Sequence, residues 1–397
     1  MHLTPSDQLI LSSVKINPDQ ADLDILNALI PQIGDWDNLT KNITDRGIGP
    51  LFFKKLPLLS NSVLIPGPAL SKLQQVYFRT LSRSMVLYDA FSKVAKALTA
   101  DGIQVVALKG IYLSEHLYKD IGLRQFSDID LLVKIEDGEK CLEILAGLGY
   151  QSTCRKSKSD DSLSKLIQRD PEFVHYPPMV NNDVSVEIHI KLHLKNKNYD
   201  LKVEEFIESA IPVTINKIQV HALHLYDLII HLCIHLDKHF FRGQVQFTGF
   251  IDIANLLYVN KNNIDWSAFK TRCRKNKGEK TVFKYLLLTH KYFNAPIPET
   301  LCKKYAYLLS EDVENLFYVY LHGFKGSFSS TSIPVHWQNI RKTKSFGQKL
   351  KYLLLVIFPP KEFMLQSYSI KKPRFFRLYY PYRYWIGLKG LFKLIIK

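Results

Sequence analysis

Leu123-Arg124-Gln125-Phe126-Ser127-Asp128-Ile129-Asp130-Leu131-Leu132-Val133 is the stretch on which the fold turns. Residues 129–133 form a short apolar run of the kind that makes a buried strand, and two aspartates open it. Side chains two apart on a strand face the same side, so Asp128 and Asp130 put two carboxylates on one face. Two ionised carboxylates there repel unless a cation lies between them, and Mg²⁺ is commonly held by one or two carboxylates plus substrate phosphates. A turn-initiating Asp with an exposed neighbour gives the same short pattern, so the surroundings must decide. Upstream, the β-branched run 103–108 reads as a strand that ends in Lys109-Gly110, and 110–118 reads as a helix. A strand-to-helix turn of that kind suits phosphate binding. Downstream, 137–148 reads as a helix, and 173–176 and 184–192 as strands. In Val186-Glu187-Ile188-His189-Ile190-Lys191, Glu187 and His189 share a face. If this strand pairs beside the aspartate strand, Glu187 becomes a third carboxylate, and the set forms a two-metal phosphoryl-transfer site. Strand, helix, strand, helix, then strands is an α/β pattern with a mixed sheet.

Helical sequence flanks this core. Ser6 or Asp7 would cap a first helix and Pro18-Asp19 a second, and 69–99 carries apolar residues at three- and four-residue spacing. Beyond 223, apolar helical stripes run through 225–236, 251–258, 283–293 and 313–321, and 323–334 reads as a Gly/Ser-rich linker. The expected parts are a helical region at 1–68, a core with its leading helix at 69–220, a helical domain at 221–330 and a tail at 331–397.

The whole chain has 397 residues, 46% of them hydrophobic and 23% charged, which excludes a disordered or fibrous protein. No apolar run reaches the length of a spanning helix, and MHLTPSDQLI has no basic segment leading into an apolar one, so a cytoplasmic chain is expected. Cys141, Cys154, Cys233, Cys273 and Cys302 form no CxxC pair, so neither a disulfide framework nor a cysteine zinc site is expected. The net charge is +16, and residues 341–397, with fourteen Lys or Arg against the single acid Glu362, supply +13 of it. From 371 to 397, aromatic residues interleave with bases. That mixture suits an anionic membrane surface at the inner face, single-stranded nucleic acid, or a basic helix packed back on the body.

Histidines form a second cluster. His231, His235 and His239 recur every four residues on one helix face, and His189 and His193 share the strand face of Glu187. Such spacing fits a transition metal, hydrogen-bonded core histidines, or the lining of an acceptor pocket. No HExxH is present. Asp252, on the next helix, would orient an imidazole or cap its own helix.

The stretch 105–150 resembles the uncharacterised nucleotidyltransferase family of the polymerase β-like superfamily. That family has a Leu-Lys-Gly turn, a Leu-Tyr pair, an Arg-Pro-x-x-Asp-Ile-Asp-Leu-Leu-Val motif and a Leu-Gly-Tyr ending. Here the matching residues are Leu108-Lys109-Gly110, Leu117-Tyr118, the motif from Arg124 to Val133, and Leu148-Gly149-Tyr150. Glu187-Ile188-His189-Ile190 is similar to the family's later acid-Leu-His-Trp strand, and 231–239 with Asp252 to its His-rich helical part. The resemblance extends over roughly residues 75–390 and takes in the Phe-Pro-Pro-Lys-Glu-Phe-Met run at 358–364. Gln125 stands where the family usually has Pro, Glu187 where Asp is commoner, and Lys109-Gly110 where the wider superfamily has Gly-Ser.

The resemblance implies a small mixed-sheet nucleotidyltransferase core, α/β or α+β, flanked by helical regions. The reaction would be transfer of a nucleoside monophosphate from an NTP with release of pyrophosphate, using Mg²⁺ or Mn²⁺. Asp128 and Asp130 would bind both metals, and Glu187 the catalytic one. Lys109 and the Gly110 N–H would hold phosphate oxygens, with Ser127 beside them. Arg124 would neutralise phosphate charge or buttress the aspartate strand through an ion pair. His189, His231, His235 and Asp252 would line an acceptor pocket. The acceptor stays open among sugar phosphate, small metabolite, RNA and protein. The rival readings are a degenerate binding protein on the same fold, docked to a membrane or partner, and a toxin-like tRNA-modifying transferase.

Overall fold

A computed structural model describes residues 3–152, 174–193, 198–241, 246–311, 313, 314, 317, 321 and 377–385. The chain divides into two compact units, one of residues 1–237 and 246–310, the other of 238–245 and 311–397. Cys154, most of the 313–321 stripe, the 323–334 linker and the tail outside 377–385 lie outside the described residues. Among the described residues no helix is long and apolar enough to cross a membrane.

Among its described residues the first unit is a mixed α/β assembly built on seven strands: β1 (Val106–Ala107), β2 (Asp128–Leu132), β3 (Gln151–Ser152), β4 (Met179–Asn181), β5 (Val184–His189), β6 (Ile211–Ile215) and β7 (Ile218–Ala222). Their order is β3-β4-β5-β2-β1-β7-β6. The β2–β5 and β1–β7 pairs are parallel and the others antiparallel, as expected of a mixed sheet. The helices are α1 (Pro5–Ser12), α2 (Gln20–Leu29), α3 (Trp36–Asp45), α4 (Gly49–Lys55), α5 (Gly67–Ala100), α6 (Lys109–His116), α7 (Gly138–Gly147), α8 (Val203–Glu208), α9 (Leu225–Phe241), α10 (Phe247–Val259), α11 (Trp266–Lys275), α12 (Glu279–Phe293) and α13 (Glu299–Tyr305).

One face of the sheet is dry. Ile129, Leu131 and Val133 from the β2 segment and Val186, Ile188 and Ile190 from the β5 segment join Leu87, Phe91, Val94 and Leu98 of α5 and Cys141 and Leu145 of α7 in one buried cluster. Because strand side chains alternate, this cluster fixes the facing of both strands and turns Asp128, Asp130, Glu187 and His189 to the other side. Slipping either strand by one residue would drive carboxylates into the apolar layer.

Several boundaries differ from expectation. The strand expected at 103–108 keeps regular pairing only at Val106–Ala107, because the chain enters α6 at Lys109 directly after it. The strand expected to reach 192 stops at His189, where Ile190 and Lys191 N–H both donate to the Val174 carbonyl. The first helix is capped by Thr4, one turn ahead of Asp7, and the two form a capping box. Asp19 caps α2 as expected. The hairpin β6–β7 turns on Asn216 and Lys217, both at positive φ (45° and 68°), as in a type I′ turn.

Candidate active site

The strand pairing assembles the site. In the parallel β2–β5 ladder Asp130 lies opposite Glu187 and Leu132 opposite His189. Asp128, Asp130 and Glu187 therefore stand on one face of two adjacent strands. Arg83 on α5 supports that arrangement from outside. Its Nη2 donates to the Ser127 carbonyl (3.1 Å) and to the Asp183 carbonyl (2.6 Å), tying the entrances of both strands to one helix.

Asp130 is buried at 6% exposure and is the centre of the charge network. His189 Nε2 donates to its Oδ1 at 2.7 Å, and Lys109 Nζ lies 3.2 Å from its Oδ2. Glu187 Oε2 is 3.5 Å from the same His189 Nε2 and 3.7 Å from His175 Nε2. Burial alone would raise the Asp130 carboxyl, but Lys109 and His189 hold it well below the usual range. Burial opposes Glu187 ionisation too, and His189 and His175 reverse that, so its pKa is lowered. His189 shifts upward, because its bond to Asp130 outweighs its own burial. Asp128 is the exception. Burial first, then the Asp130 carboxylate, push it up to about 6. Lys109, His189 and His175 thus favour the ionised forms of Asp130 and Glu187, while Asp128 is left without such support against its burial.

Lys109 and Gly110 are held by tight local geometry. Lys109 has φ +42°, a conformation that costs a non-glycine residue energy, at the first position of α6. This sharp turn from β1 into α6 places its ammonium beside Asp130. A Cβ on Gly110 would lie 2.7 Å from Phe126 Cγ, so the glycine lets Phe126 pack against the helix just before the Asp pair. Ser127 is exposed at the strand entrance.

Arg124 belongs to a buried ion pair. Its Nε and Nη2 donate to Asp252 Oδ1 (2.9 Å) and Oδ2 (2.7 Å), and the Tyr118 hydroxyl donates to Oδ1 at 2.7 Å. Of the two roles open to Arg124, the buttress is the contact seen, with Asp252 of α10 as its partner. Asp252 is fully buried, and both its oxygens are engaged by Arg124 and Tyr118 rather than by an imidazole. His231 is buried on α9, and its ring centre lies 6.1 Å from that of His235. His235 Nε2 meets Gln246 Oε1 at 3.1 Å, and a positive charge on it would favour ionised Asp130. His193 is used structurally, accepting the Leu201 N–H at 2.8 Å.

His175 was not foreseen. It pairs across from His189 in an isolated bridge, with ring centres 5.0 Å apart, and its Nδ1 donates to the Tyr176 carbonyl, which directs Nε2 at Glu187. The ligand atoms of Asp130, Glu187 and His189 all lie within 4.8 Å of one another, close enough to converge on one cation. The set of carboxylates plus an imidazole suits a divalent ion.

A search of curated proteins finds no match to this chain. A family model described as uncharacterised nucleotidyltransferase matches residues 33–294, which includes every side chain of the site. It begins upstream of the stretch that carries the motif resemblance and ends before the basic tail. The match spans about two thirds of the 397 residues, and the chain belongs to the uncharacterised nucleotidyltransferase family.

Proposed function

We propose that this chain is a divalent-metal-dependent nucleotidyltransferase that moves a nucleoside monophosphate from an NTP to an acceptor oxygen and releases pyrophosphate. The observation that carries the reading is the register of β2 against β5, which sets Asp128, Asp130 and Glu187 together on one sheet face. The residues fit a cation: ligand atoms of Asp130, Glu187 and His189 converge within 4.8 Å, and Asp128, on the same face, is pushed up to about 6 by burial and then by the Asp130 carboxylate. Asp128 and Asp130 would hold Mg²⁺ or Mn²⁺ in common, and Glu187 would hold a second ion. Such ions neutralise triphosphate charge and lower the pKa of an attacking hydroxyl.

The chain's own residues do the rest. Lys109 sits on the lip of the site at the start of α6 and offers its ammonium to phosphate oxygens, with the Gly110 N–H beside it. An acceptor oxygen bonds to the α-phosphorus as the bond to the bridging oxygen of the pyrophosphate breaks, and the acceptor proton passes to a carboxylate or to water. Arg124 holds Asp252, to which the Tyr118 hydroxyl also donates, and so ties the strand-leading loop to α10. His189 and His175 flank the acids, a charge on His235 would act on Asp130, and all three would face the acceptor.

The test is incubation of the purified protein with each α-labelled NTP, Mg²⁺ or Mn²⁺, and a lysate of its host. Label should move to an RNA, protein or small-molecule fraction, and Asp128→Ala/Asp130→Ala should abolish it. The labelled fraction names the acceptor class. No transfer, together with no metal-dependent NTP binding by calorimetry, would overturn the reading in favour of a binding protein on a transferase fold.

A further inference from the structure

Three side chains away from the acid cluster converge where α12 turns into α13. His290 is in the last turn of α12, and Glu299 and Cys302 lie in α13. One ligand atom from each falls within 4.8 Å of the others. Nitrogen, carboxylate oxygen and sulfur together make a donor set for Zn²⁺.

The geometry around the ligands supports this. His290 Nδ1 lies 2.8 Å from the Ala295 carbonyl. A carbonyl can only accept, so Nδ1 carries the proton and the Nε2 lone pair is left for a metal. That backbone anchor is the arrangement metal-binding imidazoles need to fix tautomer and ring orientation. The turn between the helices is Asn294-Ala295-Pro296-Ile297-Pro298. Asn294 ends α12 in the left-handed conformation, and the two prolines stiffen the rest of the turn. Ala295 and Ile297 are buried, so the anchoring carbonyls are rigid. Cys302 Sγ makes only a weak 3.8 Å contact to the Ile297 carbonyl.

Glu299 and Cys302 are three apart and share a helix face. Tetrahedral ligands at Zn²⁺ distances lie about 3.3–3.7 Å from one another, so the cluster must close by about 1 Å. Glu299 can supply that movement. Its side chain is 69% exposed, and its contact with Lys303 is a loose 3.6 Å surface pair.

We propose that His290, Glu299 and Cys302 form a Zn²⁺ site that clamps α13 to α12, with water completing a fourth position. A thiolate and a carboxylate balance the charge of the ion, and the thiol proton leaves to solvent on binding. The absence of a CxxC pair does not bear on it, because the ligands come from two helices across a proline turn. The site straddles the end of the family match at residue 294, with His290 inside it and Glu299 and Cys302 beyond, and it does not depend on the nucleotidyltransferase reading.

The test uses the full chain, stripped with chelator and reloaded with Co²⁺. The expected result is a near-ultraviolet thiolate-to-cobalt band in the wild type. That band should persist in Asp130→Ala/Glu187→Ala, which removes the other cluster, and vanish in Cys302→Ser. Competition with a chromophoric chelator should show Zn²⁺ affinity at least tenfold weaker in Glu299→Gln, whose exposed site keeps folding out of the comparison, and in His290→Asn. No band in the wild type, a band that survives in Cys302→Ser, or equal Zn²⁺ affinity in the wild type and Glu299→Gln would overturn the proposal.

Discussion

Replacing Asp128 by Asn should make the protein more stable while it destroys the transfer reaction. Asp128 is pushed from its ordinary 3.8 up to about 6, first by burial and then by Asp130. At 1.36 kcal/mol per pKa unit, the ionised side chain costs the folded state about 3 kcal/mol at neutral pH. Partial exposure and altered hydrogen bonds in the variant bring the expected gain to about 1–3 kcal/mol. The sign follows from linkage. Below about pH 4 both folded and unfolded chains carry the proton, and the acid behaves much as Asn does. Between about pH 4 and 6 the unfolded chain has lost the proton and the folded one keeps it, so wild-type stability falls as pH rises. Above about pH 6 the loss is complete. Asn does not titrate, so its advantage grows from near zero at pH 4 to a plateau above pH 6. The effect of the depressed Asp130 largely cancels in the difference. The assay is denaturant and thermal unfolding at half-unit pH steps in chelator-containing buffer. The apparent midpoint should rise by a few degrees at pH 7. Added Mn²⁺ should then stabilise the wild type selectively and shrink the gap, because the variant lacks a ligand. A variant less stable at pH 7, or a gain equal at every pH, would show that the Asp128 carboxylate does not burden the folded state.

The same geometry sets three more outcomes. Gly110→Ala should destabilise by about 1–3 kcal/mol despite Ala's better helix propensity, because its Cβ meets Phe126 at 2.7 Å; pairing it with Phe126→Ala should make the two costs non-additive in a double-mutant cycle. Arg124→Met should cost about 3–5 kcal/mol in unfolding experiments by stranding Asp252, and Arg124→Met/Asp252→Leu should recover much of it. Lys109→Met should weaken metal-dependent NTP binding at least tenfold by calorimetry. It should also raise the Asp130 pKa, which NMR titration of the side-chain carboxyls would read.

The site was legible where its logic is local. Alternation around Ile129 and Leu131, and around Val186 and Ile188, assigns the facing of each strand, so Asp128 shares a face with Asp130, and Glu187 with His189, without coordinates. The pairing partner was the missing step, and Asp130 opposite Glu187 supplies it. Contacts made at long range left no such trace. Arg124 and Asp252 are 128 residues apart, and nothing in either neighbourhood names the other. His175 reaches Glu187 only because its segment lies antiparallel to the end of β5. The β6–β7 hairpin was legible in the β-branched alternation on both sides of Asn216, although neither strand was predicted. The strand at 103–108 shortened because apolar residues show that a segment is buried but not where its hydrogen-bonded ladder ends.

Parallel incubations with α-labelled and γ-labelled NTP ask whether the acids on β2 and β5 serve nucleotidyl transfer. The α-label should enter the acceptor and the γ-label appear in pyrophosphate, and both should be lost in Asp130→Ala. Entry of γ-label into the acceptor, or transfer that survives in Asp130→Ala, would contradict that role.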